Sequence, residues 1–296
     1  MAGLYYLIRT AWWAVPEDPK ASFVGQTIIV TGSNTGIGLE AAAKFVALDA
    51  SRVILAVRSI GKGDEAVRLI KSRCPGTTCK IEVWELDMAS YASIQSFATR
   101  VGRDLHRLDV VILNAGVFMA SPVISAYGWE QTLQVNTLST TLLALLLLPH
   151  LRRLRTPDQK DPPVLELVSS GTHLNARLSM EEQQTEGSIL EHFNPCKPFS
   201  GRRQYSMCKL FTMGALASLA KAGAGDPKVR VVSVCPGVCS SDLARGYDSA
   251  LATFGKWLFA LLFMRTAEQG SRTLVSGTLL GDEARGCFWQ HDEIQP

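Results

Sequence analysis

The chain contains the run Gln26-Thr-Ile-Ile-Val-Thr31, followed by Gly32-Ser-Asn-Thr-Gly36-Ile-Gly38 and then by Leu39 to Leu48. The first part is apolar and β-branched, which is typical of a buried strand, and the last part has the composition of a helix. Glycines let the backbone approach a pyrophosphate, and a helix N-terminus attracts its charge. This order therefore predicts a strand, a phosphate-binding turn and a helix; a glycine turn without a ligand is the alternative. The candidate cofactor contacts are Gly32, Ser33, Asn34, Thr35, Gly36, Ile37 and Gly38.

Further strands and helices alternate along the chain. Strands are predicted over about 52–57, 80–85, 108–113, 164–168 and 229–234, and helices over about 62–73, 91–103, 129–154 and 205–221. Strands separated by helices form right-handed crossovers and a parallel sheet that helices cover on both faces. We expect an α/β fold with a single Rossmann-type, doubly wound parallel sheet of about seven strands. Residues 21–296 would form this domain, after an N-terminal helix and connector at 1–20.

Composition limits the class of protein. With 296 residues, 47% of them hydrophobic and 19% charged, the chain can bury a sizeable core. A formal net charge of +3 without clustering does not favour a nucleic-acid partner. The seven cysteines form no Cys-x-x-Cys pair, so they predict buried thiols in a reducing compartment and neither a disulfide framework nor a metal site.

The first fifteen residues, MAGLYYLIRTAWWAV, form an apolar segment. It is too short to span a bilayer, carries Arg9 in its middle, and lacks the basic region of a secretory signal. Two interpretations stay open: a helix packed on its own domain, or an interfacial helix that makes peripheral contact with a membrane. The predicted location is the cytoplasm or the cytosolic face of an intracellular membrane, and not outside the cell.

Arg58 follows the second predicted strand, twenty residues beyond Gly38. Enzymes that prefer NAD usually carry an acidic residue there for the ribose 2′-hydroxyl, whereas an arginine pairs with a 2′-phosphate. The sequence thus favours NADP (NADPH) as the cofactor. A solvated arginine at a strand end is the alternative.

Tyr205 and Lys209 are four residues apart in a predicted helix, so they share one face. A nearby ammonium favours the phenolate, and we therefore expect it to lower the tyrosine pKa and make the phenol a general acid/base. The spacing alone is common in helices. It gains weight because polar residues also follow the predicted strands, at Asp87-Met88, Asn114-Ala-Gly116, Ser169-Ser170 and Pro236-Gly237.

These motifs together resemble the short-chain dehydrogenase/reductase family, in order and over nearly all of residues 25–290. The motifs are Thr31-Gly32-x-x-x-Gly36-Ile37-Gly38, Asn114-Ala115-Gly116, Asn136, Ser170, Tyr205-x-x-x-Lys209 and Pro236-Gly237. Within the family, Thr-Gly-x-Asn-Thr-Gly-Ile-Gly with an Ala-x-Arg after the second strand is similar to the retinol-dehydrogenase-like branch.

The resemblance implies a role for each matching residue. It implies a catalytic tetrad of Asn136, Ser170, Tyr205 and Lys209, in which Tyr205 moves the proton, Ser170 binds the developing alkoxide, Lys209 also binds the nicotinamide ribose, and Asn136 holds a water. Further cofactor contacts implied are Asp87, Met88, Asn114, Ala115, Gly116, Pro236, Gly237 and Ser241.

Three other segments carry expectations. Residues of about 175–204, between Ser170 and Tyr205, form a polar insertion near the active-site mouth, with an inert excursion and a substrate role equally open. Residues of about 239–265 are expected to form an apolar substrate lid. The run Leu138 to Leu148 is expected to be a buried helix, and relatives often form homodimers through it and the Tyr205 helix.

The function that follows is an NADP(H)-dependent oxidoreductase, a ketoreductase type that interconverts an alcohol and a carbonyl. An apolar substrate of the retinoid, steroid, lipid or secondary-metabolite type is expected. A non-catalytic dinucleotide-binding scaffold or redox sensor is the alternative, and an intact acid/base pair argues against it.

Overall fold

The computed structural model describes residues 14–157, 159, 161–184, 187–194, 198–225, 228–239 and 264–295. Nearly all of the helix predicted over 1–15, and most of the lid expected over 239–265, lie outside these ranges. Both expectations therefore stay predictions.

The described residues form one eight-stranded sheet, in which the strands follow the order β3-β2-β1-β4-β5-β6-β7-β8. Every pairing is parallel except the last, between β7 and β8. The predicted parallel α/β sheet is confirmed, with eight strands where about seven were expected. The strands are β1 Thr27–Thr31, β2 Arg52–Val57, β3 Lys80–Glu85, β4 Val110–Leu113, β5 Val164–Val168, β6 Arg230–Cys235, β7 Phe288–Gln290 and β8 Glu293–Gln295.

Helices cover both faces of this sheet, because the central strands are apolar on both sides. One buried cluster includes Ile29, Val111 and Leu165, and the other includes Ile28, Val110 and Val234. The helices are α1 Gly36–Ala47, α2 Ile60–Arg73, α3 Tyr91–Asp104, α4 Gln131–Leu133, α5 Thr140–Arg153, α6 Met180–Gln183, α7 Ile189–His192, α8 Gly201–Gly223 and α9 Ala267–Gly277. Short 3₁₀ turns lie at Gly171–Asn175 and Asp282–Ala284.

The single helix predicted over 129–154 is divided. A π turn, Gln134–Ser139, separates α4 from α5. The hydroxyl of Thr140 donates to the Val135 carbonyl at 2.9 Å, a contact across five residues. The stretch Gln131–Arg153 is long and apolar enough to cross a bilayer, but 67% of its most apolar window is buried inside the fold, which core helices also satisfy.

The segment expected to be a loop insertion contains the two short helices α6 and α7, and α8 begins at Gly201, four residues before Tyr205. Ser179 and Glu182 form a capping box at the start of α6. Arg203 in α8 pairs with Glu182 at 2.6 Å, so the insertion is attached to the Tyr205 helix.

Sheet order decides where a ligand site can form. Strand β1 pairs with β2 on one side and with β4 on the other. The chain thus reverses its winding direction at β1, and in such sheets the crevice lies beyond the carboxyl ends of the strands.

Candidate active site

A cavity of about 1070 Å³ lies at this carboxyl edge. Its walls come from residues that follow β1, β2, β3, β4, β5, β6 and β7, so it extends across most of the sheet. Seventeen of the residues expected at the site line it: Gly32, Asn34, Thr35, Gly36, Ile37, Gly38, Arg58, Asp87, Met88, Asn114, Ala115, Gly116, Ser170, Tyr205, Lys209, Pro236 and Gly237.

The glycine turn after β1 has the backbone geometry that a close phosphate contact requires. Gly32 and Gly36 adopt φ values of 65° and 58°, which glycine tolerates best. A Cβ on Gly38 would lie 2.4 Å from Asn114 Nδ2 and 2.6 Å from the Gly32 carbonyl oxygen. No acidic side chain lies in the first turn of α1, whose N-terminus borders the cavity. This cradle fits a pyrophosphate.

Thr31 joins this turn to the end of β4. Its Oγ1 accepts from the backbone N–H groups of Asn114 and Ala115, both at 2.9 Å. In return Asn114 Nδ2 donates to the carbonyl oxygens of Thr31 at 2.9 Å and of Gly32 at 3.3 Å. Because Thr31 is fully buried, these bonds hold the two strand ends together.

Ser33 differs from its expected position. It is fully buried, it is not among the lining residues, and its Oγ donates to the Val30 carbonyl at 2.8 Å. The structure therefore gives this side chain a role within the turn and not at the cavity surface. Ser241, also expected at the cofactor, lies outside the described residues.

The far end of the cavity carries two cations. Arg58 follows β2, and Lys62 lies in the first turn of α2, and both are exposed cavity residues. Sequence reasoning missed Lys62, although its spacing of four residues from Arg58 was a usable signal. Asp87 Oδ1 accepts from the Ala89 N–H at 2.9 Å, which fixes the turn after β3.

The acid/base group lies at the other end. Tyr205 and Lys209 are in α8, and Ser170 is the residue after Ser169 at the end of β5. The Ser170 side chain interacts with the Tyr205 phenol. Ser170 Oγ also accepts from the N–H of Thr172 at 3.3 Å and from its hydroxyl at 3.1 Å.

The electrostatics of Tyr205 contradict the sequence expectation. Burial raises the pKa of Tyr205, the nearby Cys235 thiol raises it further, and the Ser170 side chain lowers it only in part. Burial also lowers the pKa of Lys209 to about 8. Lys209 Nζ donates to the Val168 carbonyl at 2.8 Å and lies 5.6 Å from the centre of the Tyr205 ring. In this structure desolvation therefore sets the direction of the Tyr205 pKa shift, and the Lys209 ammonium is not among the groups that lower this pKa.

Asn136 is close to the cavity but not among its lining residues. It lies in the π turn, where Oδ1 accepts from the Val117 N–H at 2.9 Å and Nδ2 donates to the Val117 carbonyl at 2.7 Å. Its own carbonyl accepts from Thr212 Oγ1 at 3.0 Å. Asn136 thus fixes the loop after β4, and its expected hold on a water stays a prediction.

The wall around Tyr205 is largely apolar. Phe118 packs edge-on against the Tyr205 ring, with centroids 5.3 Å apart. Val117, Met119, Leu174 and Val238 add further apolar surface to the cavity. Gln290 and His291, after β7, also line it, and no motif in the sequence pointed to them.

Comparisons with known proteins concern the chain as a whole. A family model described as short chain dehydrogenase matches residues 26–172. The chain is 42% identical to the short-chain dehydrogenase/reductase ffsI of Aspergillus flavipes over 96% of this chain and 83% of the relative. It is 40% identical to the short-chain dehydrogenase/reductase phmF of Phaeosphaeria nodorum over 94% of this chain and 81% of the relative.

Solved structures share the fold. Salutaridine reductase from Papaver somniferum has a TM-score of 0.66 at 21% identity, over 89% of this chain and 99% of that one. A short-chain dehydrogenase from Escherichia coli CFT073, crystallised with NADPH, has a TM-score of 0.65 at 22% identity, over 93% of this chain and 100% of that one. Because the chain is 42% and 40% identical to the two fungal relatives over more than nine tenths of its own length, it belongs to the short-chain dehydrogenase/reductase family.

Proposed function

We propose that the protein is an NADP(H)-dependent oxidoreductase that interconverts an alcohol and a carbonyl on an apolar substrate. The observation that carries this proposal is the content of one cavity. Ser170, Tyr205 and Lys209 lie at one end, while the phosphate cradle at Gly36 and the cation Arg58 lie at the other. A dinucleotide that spans the carboxyl edge of the sheet would join these two ends.

The residues present fit NADP(H). The N-terminus of α1 would hold the pyrophosphate, and Arg58 and Lys62 would pair with the 2′-phosphate. The cofactor, when bound, supplies or accepts the hydride at the nicotinamide. This chain's own residues then have one proton to move.

Tyr205 is the group that moves that proton. Its phenol donates a proton to the carbonyl oxygen in reduction, and its phenolate accepts the proton of the alcohol in oxidation. Ser170, whose side chain interacts with the Tyr205 phenol, stabilises the same oxygen as negative charge develops on it. Lys209 is buried with its Nζ on the Val168 carbonyl, which directs the ammonium toward the Tyr205 end of the cavity.

The choice of NADP over NAD rests on Arg58 and Lys62. A charge-assisted hydrogen bond contributes about 1.5–3 kcal/mol, which corresponds to roughly tenfold or more in affinity. We therefore expect Arg58→Ala and Lys62→Ala each to weaken NADPH about tenfold and to leave NADH nearly unchanged, in a titration of nicotinamide fluorescence. Lys71→Ala is the matched control, because Lys71 is exposed in the last turn of the same helix and does not line the cavity. Preference of the wild type for NADH would overturn this assignment.

The apolar wall around Phe118 and Leu174 supports an apolar substrate, of the retinoid, steroid, lipid or secondary-metabolite type. The retinol-dehydrogenase-like branch is part of this proposal, and it rests on the residues 31–38 and Arg58. A panel of apolar ketones and aldehydes, with sugars as the comparison set, tests it by NADPH absorbance. Faster turnover of the sugars would contradict the apolar assignment.

Two further proposals concern partners. The connector before β1 is attached to α1 and α9: Arg272 in α9 donates to the Pro16 carbonyl at 3.1 Å, and Asp18 pairs with Lys44 in α1 at 2.6 Å. We propose that residues 1–15 make peripheral contact with an intracellular membrane on its cytosolic side, which liposome co-sedimentation of full-length and truncated protein tests. A chain starting at Glu17 that still co-sediments would contradict it.

A homodimer through α5 and α8 is the other proposal. An apolar groove of about 680 Å³ lies between these helices and the insertion, with Leu142, Leu145 and Phe211 in its walls. Leu145 is 52% exposed. We expect Leu145→Glu to shift the mass measured by light scattering from dimer to monomer, and a wild-type monomer would contradict the proposal.

A further inference from the structure

A buried carboxylate lies at the start of α4. Glu130 is the N-cap residue of this helix and is fully buried. Its Oε1 accepts from the N–H and the hydroxyl of Thr132, at 3.0 and 2.9 Å. Its Oε2 accepts from the Leu133 N–H and from Gln204 Nε2, both at 3.0 Å. The two carboxylate oxygens, with about four lone-pair sites, therefore meet a full set of neutral donors.

Gln204 is the donor that comes from another helix. It lies in α8, directly before Tyr205, and is buried. Its Nε2 donates to Glu130 Oε2 at 3.0 Å and to the Phe193 carbonyl at 3.1 Å. A carboxylate and a carbonyl only accept, so one orientation of the side-chain amide satisfies both. One side chain therefore joins α8 to the start of α4 and to the insertion.

The insertion is fastened at the same place. Phe193, which follows α7, is buried and packs edge-on against Phe211 of α8, with ring centroids 5.5 Å apart. Asn194 Oδ1 accepts from the Glu130 N–H at 2.8 Å, and its Nδ2 donates to the Gly128 carbonyl at 2.8 Å. These contacts hold the insertion against both α8 and the residues before α4.

One buried face of α8 packs against α4 and the π turn. The hydrogen bonds that join them are those from Gln204 to Glu130, from Thr137 Oγ1 to the Cys208 carbonyl at 3.0 Å, and from Thr212 Oγ1 to the Asn136 carbonyl at 3.0 Å. Positions 204, 208 and 212 are four residues apart, so they share this face. Tyr205 and Lys209 are each one residue further on, about 100° around the helix. The bonds on the buried face therefore set the rotation of α8 and the direction in which Tyr205 points.

We propose that Gln204 and Glu130 are positioning residues for Tyr205. Their buried hydrogen bond, together with the bond from Gln204 to the insertion, fixes α8 at the turn that carries the phenol. Neither residue is among those that line the cavity, so their effect on the reaction passes through Tyr205. The proposal rests on the proposed function and deepens it, because it gives the insertion a part in the acid/base geometry.

Two substitutions of Gln204 separate its donors from its volume. Gln204→Met keeps an unbranched side chain without a donor, so both bonds are lost. Gln204→Lys keeps donors for the Glu130 carboxylate and the Phe193 carbonyl, because an ammonium carries three N–H groups. Leu216→Ala is the matched control: Leu216 is buried in the same helix about three turns beyond Tyr205, so its truncation lowers stability and leaves these bonds in place.

Single-turnover reduction of an apolar carbonyl by NADPH gives the first measurement. A misplacement of about 1 Å can lower a rate about a hundredfold, so we expect Gln204→Met to lower the rate about tenfold to a hundredfold. The Kd for NADPH should change less than about threefold, and Gln204→Lys should restore most of the rate. Leu216→Ala should keep the wild-type rate well below its melting temperature. A wild-type rate in Gln204→Met, or an equal loss in Gln204→Lys or Leu216→Ala, overturns the proposal.

The environment of the phenol is measured without any turnover. In protein with 3-fluorotyrosine, the ¹⁹F signal absent from the Tyr205→Phe spectrum belongs to Tyr205, one of six tyrosines in the chain. We expect Gln204→Met to move this signal and Leu216→Ala to leave it in place. A signal unchanged in Gln204→Met contradicts the proposal. If the wild type reduces no carbonyl, the proposed function fails, while this signal still decides the inference.

Asn194→Ala tests the part of the insertion and is the milder change if Gln204→Met does not fold. It removes only the two bonds to the backbone at positions 128 and 130. We expect it to move the Tyr205 signal and to lower the single-turnover rate about threefold or more. Gln183→Ala is its control, because Gln183 is exposed in α6 of the same insertion. Wild-type values of both signal and rate in Asn194→Ala, or equal changes in Gln183→Ala, overturn the role of the insertion.

Discussion

Gly38→Ala tests the phosphate cradle with the smallest possible change. The added methyl carbon would lie 2.4 Å from Asn114 Nδ2 and 2.6 Å from the Gly32 carbonyl oxygen, both shorter than van der Waals contact. Neither neighbour can give way freely, because Asn114 Nδ2 is held by the carbonyls of Thr31 and Gly32. We therefore expect an overpacking cost of about 1–3 kcal/mol.

Displacement of the Gly32 carbonyl and the Asn114 amide would also distort the turn that we propose holds the pyrophosphate. We expect the melting temperature to fall by about 2–10 °C and NADPH affinity to fall about tenfold or more. Gly61→Ala is the matched control: Gly61 lies in the first turn of α2, after β2, and a Cβ there meets nothing within 4 Å. Thermal melts and fluorescence titrations of both variants decide the matter. If Gly38→Ala behaves like Gly61→Ala in both assays, the cradle has been assigned wrongly.

Three other perturbations have expected outcomes. Thr31→Val removes the acceptor of two backbone N–H groups and should lower the free energy of unfolding, measured in urea, by about 1–3 kcal/mol. Thr31→Ser keeps the hydroxyl and should keep this free energy. Equal losses in the two variants would show that the hydroxyl is not responsible. Burial lowers the pKa of Lys209 to about 8, so between pH 8 and about 10.4 the unfolded chain binds more protons than the folded chain. The free energy of unfolding of the wild type should therefore rise with pH in this range relative to that of Lys209→Met. Parallel curves of unfolding free energy against pH would contradict this. Burial raises the pKa of Glu166 well above its usual range, so above about pH 4.3 the folded chain binds more protons than the unfolded chain. The wild type should therefore lose stability relative to Glu166→Gln as the pH rises. A difference in unfolding free energy that stays constant with pH would refute this.

The central sheet could be predicted because the apolar composition of each strand is visible in that strand's own sequence. Runs such as 27–31 and 52–57 are apolar without interruption, as strands buried on both faces must be. No range was predicted for β7 or β8, because Phe288–Gln290 and Glu293–Gln295 have three residues each, too few for a periodic signal. The π turn Gln134–Ser139 was missed because such turns are rare and the apolar run over 129–154 has the pattern of one continuous helix.

The active site also has one part that the sequence predicts and one part that it does not. The turn at 32–38 and the pair Tyr205 and Lys209 could be predicted because each is formed by residues that are close together in the sequence. Arg265, by contrast, contacts Pro236 and His291, which are 29 and 26 positions away in the sequence. Only the sheet order, which places β7 beside β6, brings them together. The expectation that the Tyr205 pKa is lowered was wrong for a related reason. It counted only the neighbouring charge, whereas burial of the phenol depends on the whole fold.

The most direct test of the proposed function is turnover by Tyr205→Phe, because the change removes one hydroxyl and keeps the ring that packs on Phe118. Reduction of an apolar carbonyl is followed by NADPH absorbance, and NADPH binding is measured by fluorescence on the same samples. We expect wild type to consume NADPH, and the variant to bind NADPH with nearly unchanged affinity while turnover falls by at least about a hundredfold, the usual contribution of a positioned acid/base. Turnover by the variant at the wild-type rate would contradict the assignment of Tyr205 as the proton donor.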